Sequence, residues 1–138
     1  INDSTGNFTG RTGQPPWAAA ATKGNRIETQ PLAILKRRGV LHTTLKHELA
    51  HVIINIISRD RAPRWLEEGF AIYLAGEGRM FSRYLRRALL STEELERQMQ
   101  GLTSQNDMRS LYADAYVKVD GMARNEGEVS VWKKLAAN

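Results

Sequence analysis

Two rhythms of apolar and polar residues run along this chain. Over residues 41–58, Leu45, Leu49, Val52, Ile53 and Ile56 recur at steps of three and four, the spacing that lines one face of an α-helix. The pattern predicts a helix with these five residues as its apolar stripe. Thr44 and Asn55 are the main polar neighbours in an otherwise apolar stretch. The face carrying His47, Glu48 and His51 is therefore expected to be semi-buried. This helix stops near Ser58-Arg59-Asp60. Pro63 suits the first turn of the next, which runs to Ala75 and halts at Gly76-Glu77-Gly78. Residues 80–90 are amphipathic, with Phe81, Tyr84, Leu85 and Leu89 opposite arginines, and predict a further helix. Ser91 with Glu94 three positions on is a capping box, opening a helix that closes at Gly101. Residues 103–107 read as polar loop, and 108–124 and 128–137 as two more helices.

The second rhythm is short. In 26–30, Ile27 and Thr29 alternate with Glu28 and Gln30, as in a half-exposed strand. Gly24-Asn25 before it is a two-residue hairpin signal. The first arm, 17–23, is alanine-rich, and Pro15-Pro16 and Pro31 bracket the pair. Leu32, Ile34 and Leu35 mark a short turn or helix ending near Gly39. Residues 1–16, rich in Gly, Asn, Thr and Pro, read as a flexible or extended arm. The expected fold is α+β and mainly α-helical, with a small N-terminal β-hairpin and about five helices. Residues 1–138 suffice for a single domain around one core. The start at Ile1 and the little chain after the last helix fit a segment of a longer protein.

Composition narrows the partners. The 41% hydrophobic and 25% charged residues are ordinary for a globular chain. No apolar run approaches the roughly 18 residues of a membrane span, so no span is expected. The absence of cysteine excludes disulfides and thiolate-ligated metals. A net charge of +5, with arginines gathered around 36–38, 59–64 and 79–87, predicts a basic, solvated exterior. The aromatics do not interleave with the basic residues and no nucleic-acid motif appears, so no nucleic-acid partner is expected.

The chemistry lies in His47-Glu48-Leu49-Ala50-His51. On a helix, His47 and His51 stand one turn apart on one face. Two neutral imidazoles at that spacing can close on one metal ion, and Glu48 can reach a water beside the ion without ligating it. Catalytic zinc takes a third protein ligand and keeps one position open. Glu67 and Glu68 follow on the next helix; sixteen residues separate His51 from Glu68, enough to fold the second helix antiparallel on the first. Periodicity does not choose between them. Glu68 shares a face with Trp65 and Ile72, and Glu67 with Ala71 and Leu74. Carboxylates among apolar neighbours are costly unless paired or on a metal.

Trp65-Leu66-Glu67-Glu68-Gly69-Phe70-Ala71 resembles the W-L-x-E-G-x-A segment of gluzincin zinc metallopeptidases, such as the aminopeptidase N type and the smaller peptidase MA-like families. With H-E-x-x-H, the likeness covers about residues 44–75. It implies a zincin-like domain with His47, His51 and Glu68 as zinc ligands. It implies hydrolysis of a peptide or protein substrate through a metal-activated water, with Glu48 as general base. Residues 111–116 resemble the start of the helix that carries a tyrosine oxyanion donor in related enzymes. Tyr112 is the match, and Tyr116, one turn on, is the reserve. The resemblance also suggests an edge strand at 17–22 that takes substrate backbone as an added strand. The exopeptidase signature G-A-M-E-N is absent. Ile72 stands where thermolysin-like enzymes carry an aspartate that supports a histidine, so the partners of His47 and His51 stay open. The alternative is a non-catalytic, zinc-stabilised peptide-binding module with the same ligands. His42 lies outside the ligand spacing and reads as a surface or capping residue.

Overall fold

The computed structural model describes residues 1–12, 14, 18–23, 26–86, 88–101 and 105–137. In chain order these form α1 (Thr5–Thr12), β1 (Ala20–Lys23), β2 (Arg26–Thr29), α2 (Leu32–Arg37), α3 (Leu41–Ser58), α4 (Arg64–Ala75), α5 (Gly78–Ser82), α6 (Thr92–Gln100), α7 (Gln105–Glu126) and α8 (Glu128–Ala136). The fold is mainly helical with one small antiparallel sheet, as expected. Eight helices stand among the described residues, against about five predicted. Among those residues, no helix is long and apolar enough to cross a membrane.

Helix α4 occupies the centre. Trp65, Leu66, Phe70, Ala71, Ile72 and Ala75 are all buried, because the helix is apolar around most of its circumference and needs neighbours on several sides. α3 and α7 flank it, with α6 and α8 closing the core through Leu95, Met99, Val131 and Leu135. Phe70 meets Trp132 edge-on at 4.6 Å between ring centroids. Gly69 lets α7 come close: a Cβ there would stand 2.4 Å from the Ala115 carbonyl oxygen. Pro63 offers no side-chain cap to α4. Glu96 of α6 substitutes, accepting the Arg64 N–H at 3.0 Å and the Trp65 N–H at 2.9 Å. A carboxylate suits the unpaired N–H groups and positive end of a helix dipole.

The hairpin lies beside α3, in register Ala20↔Thr29 to Lys23↔Arg26. Asn2 ties the N-terminus to it, donating from Nδ2 to the Thr29 carbonyl at 2.9 Å and to Glu28 at 3.0 Å. The predicted turn at Gly24-Asn25, and Pro15, Pro16 and Trp17, lie outside the described residues. α3 and α4 have the predicted bounds. α3 starts after Val40 without a side-chain cap. α4 ends where Gly76 takes φ 73°. Ser91 Oγ caps α6 by accepting the Glu94 N–H, while the Glu94 carboxylate turns to Arg97 and Gln98 instead of completing the box.

Three expectations are corrected. Residues 5–12, assigned to an extended arm, are helical. Ser4 Oγ accepts the Asn7 N–H, and Phe8 is fully buried, so tertiary burial overrides glycine's weak helix propensity. The helix predicted over 80–90 ends at Ser82. Beyond it, the Arg83 and Arg109 guanidinium groups sit over the Tyr84 ring, and the Leu90 N–H donates to Asp114 on α7. The apolar stripe assigned to α3 points outward: Leu49 is 54% exposed and Ile56 68%, whereas Ile54 is fully buried. The buried arc instead carries Thr44, Glu48, Ala50, His51, Ile54 and Ser58. Imidazoles and carboxylates can be buried here only as a mutually paired set, and that set turns α3 away from its most apolar face.

Candidate metal centre

α3 supplies two nitrogens and α4 one oxygen to a single point. The Nε2 atoms of His47 and His51 are 3.0 Å apart. Glu68 Oε2 lies 3.3 Å from the first and 3.2 Å from the second. Ligands about 2.0–2.1 Å from a tetrahedral zinc stand roughly 3.3 Å from one another. The observed triangle has that edge. An ion above its centre would reach all three atoms at bonding distance and keep a fourth position free. His47, His51 and Glu68 could therefore hold a metal ion. Two imidazoles with one carboxylate suit zinc, although nitrogen–oxygen sets also take neighbouring divalent metals.

The other face of each ring is also held. His47 Nδ1 donates to Glu77 Oε1 at 2.6 Å, and His51 Nδ1 donates to Glu67 Oε1 at 2.9 Å. Such bonds fix the imidazole tautomer and aim Nε2 at the site. The two adjacent acids of α4 thus divide their work. Glu68 faces the triangle while Glu67 orients one of its corners. Sequence reasoning missed Glu77, reading Gly76-Glu77-Gly78 only as a stop. The stop is the device: Gly76 reverses the chain, and Glu77 is brought back, buried, against α3. An acid between two glycines, directly after the end of α4, was the available signal. Gly78 has its own reason, since a Cβ there would meet the Tyr116 ring at 2.3 Å.

Charge in the cluster is strongly coupled. Burial alone would lower the His47 pKa, but hydrogen bonds to Glu68 and Glu77 and the Glu68 charge raise it to about 9. His51 is likewise opposed by burial, yet the charge of Glu68 and hydrogen bonds to Glu67 and Glu68 push it well above its usual value. Burial would raise Glu68, but the two histidines hold it well below the ordinary carboxylate range. A cation bound by these groups would compete with protons for the two imidazoles.

Glu48 is buried beside the triangle, where the Thr22 hydroxyl of β1 donates to its Oε2. That strand contact could not be read from the sequence. Tyr112 of α7 packs edge-on against Phe81 at 6.0 Å. Burial and then the negative charges of Glu68 and Glu48 push its phenol far above the usual value. It stays a donor at any physiological pH, within the field of the site. Tyr116 is different: its ring covers Gly78, and its charged neighbours are Asp120 and Arg124. His42 is exposed. Compared with known proteins, the chain matches no family model, no curated protein and no solved structure.

Proposed function

We propose that this chain is a zinc-dependent peptidase domain of gluzincin type, with His47, His51 and Glu68 as ligands. The observation that carries the reading is the triangle of donor atoms, 3.0–3.3 Å on each edge, with both imidazoles oriented from behind by carboxylates. The W-L-x-E-G-x-A likeness supports the same assignment of Glu68. When bound, zinc supplies a Lewis acid for the scissile carbonyl and an acidic water. With the ion in place, Glu48 would serve as general base and return the proton to the leaving amine. Thr22 orients the Glu48 carboxylate. Tyr112 donates to the oxyanion as it develops, which its protonated state permits.

Zinc-loaded wild type should cleave members of a random peptide library, with stoichiometric zinc in the purified protein. Glu48→Gln should keep the zinc and lose cleavage. Zinc retained after Glu68→Ala but lost after Glu67→Ala would overturn the ligand assignment. A second reading is a metal-stabilised peptide-binding module that cuts nothing. The observation on its side is that Glu48 is buried, with one oxygen already taken by Thr22. It predicts the same zinc content and no cleavage by wild type.

A further inference from the structure

A groove of about 500 Å³ lies along β1 and β2, lined by Arg11, Ala21, Thr22, Lys23, Arg26 and Glu28 among others. Successive residues of a strand point to opposite faces. Thr22 turns its hydroxyl to Glu48, so Ala21 and Lys23 face the other way. Their cross-strand partners Glu28 and Arg26 share that second face. Arg11 joins them, 3.9 Å from Glu28. The face therefore holds three cations and one carboxylate. Glu28 is already engaged by Arg26 at 2.8 Å and Asn2 at 3.0 Å. Lys23 makes no ion pair among the described residues. Two positive charges remain uncompensated.

Among the described residues, β1 has no strand partner on its outer edge. The Gln30 N–H bonds the Ala19 carbonyl at 2.9 Å, which sets the phase of the ladder. In an antiparallel pair, residues with backbone groups turned to the partner alternate with residues whose groups turn outward. Ala19, Ala21 and Lys23 face β2. The N–H and C=O of Ala20 and Thr22 face out, at the strand position that also touches Glu48. A peptide added to this edge would alternate in the same way, one side chain toward the metal centre and the next into the basic groove.

We propose that this groove is a specificity site for acidic side chains, selecting extended peptides with Asp or Glu at alternate positions, on the face opposite the metal triangle. The inference rests on the peptidase reading for why a peptide should lie on β1, but the binding does not need hydrolysis. The test is fluorescence anisotropy with three labelled octapeptides that alternate Ala with Glu, Gln or Lys. At low salt the Glu peptide should bind wild type about fivefold more tightly than the Gln peptide, and the Lys peptide most weakly. Exposed pairs are worth this much and are screened by salt, so the difference should shrink at high salt. Lys23→Glu, an exposed change that leaves the core untouched, should abolish the preference, and Arg11→Gln should reduce it. Equal affinity for the Glu and Gln peptides, a preference that survives Lys23→Glu, or no binding of any peptide at millimolar concentration overturns the proposal. Acid-selective binding without cleavage would defeat the peptidase reading alone. Cleavage indifferent to acidic residues at alternate positions would defeat the groove alone.

Discussion

Gly69→Ala is the sharpest perturbation available, because one methyl group tests both the packing of α4 on α7 and the placement of Glu68. The added Cβ would stand 2.4 Å from the Ala115 carbonyl oxygen, 2.8 Å from its carbon and 2.8 Å from Val119 Cγ2. Heavy atoms at rest are about 3.5 Å apart, so the two helices must separate by about 1 Å. Two of the three obstacles are backbone and cannot rotate away. Overpacking of this kind costs about 1–3 kcal/mol, and backbone contacts belong at the upper end. Replacing glycine by alanine within a helix returns about 1 kcal/mol. The net loss should be about 2 kcal/mol, or roughly 6–10 °C in Tm for a chain of this length. Glu68 precedes Gly69 and should shift with it, weakening zinc binding by about 10–100-fold, the range seen when groups supporting a metal ligand are disturbed. Urea melts and competitive zinc titration measure both. Gly121→Ala on α7 is the control: nothing lies within 4 Å of its Cβ, so helix propensity should act alone and raise stability by up to about 1 kcal/mol. Gly69→Ala with wild-type stability and wild-type zinc affinity would refute the close-approach argument.

Other outcomes follow from the same geometry. Ile54→Ala should cost about 2–4 kcal/mol in a denaturant melt, whereas Ile56→Ala, on the exposed arc of the same helix, should change stability by less than about 0.5 kcal/mol. Glu77→Ala should leave the fold standing and weaken zinc binding about 10–100-fold, read by the same competitive titration. Metal-free protein should lose stability as pH rises. His47 has a folded pKa of about 9 against an ordinary 6.5, so its contribution is complete below 6.5 and disappears as pH passes through 9. Thermal melts of chelator-treated protein at pH 6 and pH 9 check the direction. Zinc-loaded protein should instead lose its advantage toward acid, as protons compete for the ligands.

Much of the helical plan was legible because its punctuation is local. Pro63 and Gly76 act through their own backbone and Ser91 through a side-chain contact three residues on, and the bounds of α3 and α4 followed. What needed partners was not legible. Phe8 makes α1 helical only through burial in the assembled molecule. The 80–90 segment has helical spacing but is drawn off by Asp114 and Arg109 on α7. The largest error, the orientation of α3, has the same origin. Leu45, Leu49, Ile53 and Ile56 form the more apolar arc, yet the arc that docks is decided by Glu67, Glu68 and Glu77, which lie beyond the helix. In the site, spacing gave the two histidines and left Glu67 and Glu68 equivalent. A resemblance pointed to Glu68, and its Oε2 lies 3.3 and 3.2 Å from the two Nε2 atoms. Thr22 and Glu77 act across 26 and 30 positions of chain, where no periodicity speaks.

The division of donors between two helices has a consequence of its own. Every nitrogen of the triangle belongs to α3. Every carboxylate that touches an imidazole belongs to α4 or to the residue two positions past its end. Neither helix alone supplies all three donors, so an ion held by the full set would report whether the two are docked. A coloured substitute such as cobalt would turn that docking into an absorbance signal, letting the seam between the helices be followed during refolding without a probe attached to the chain.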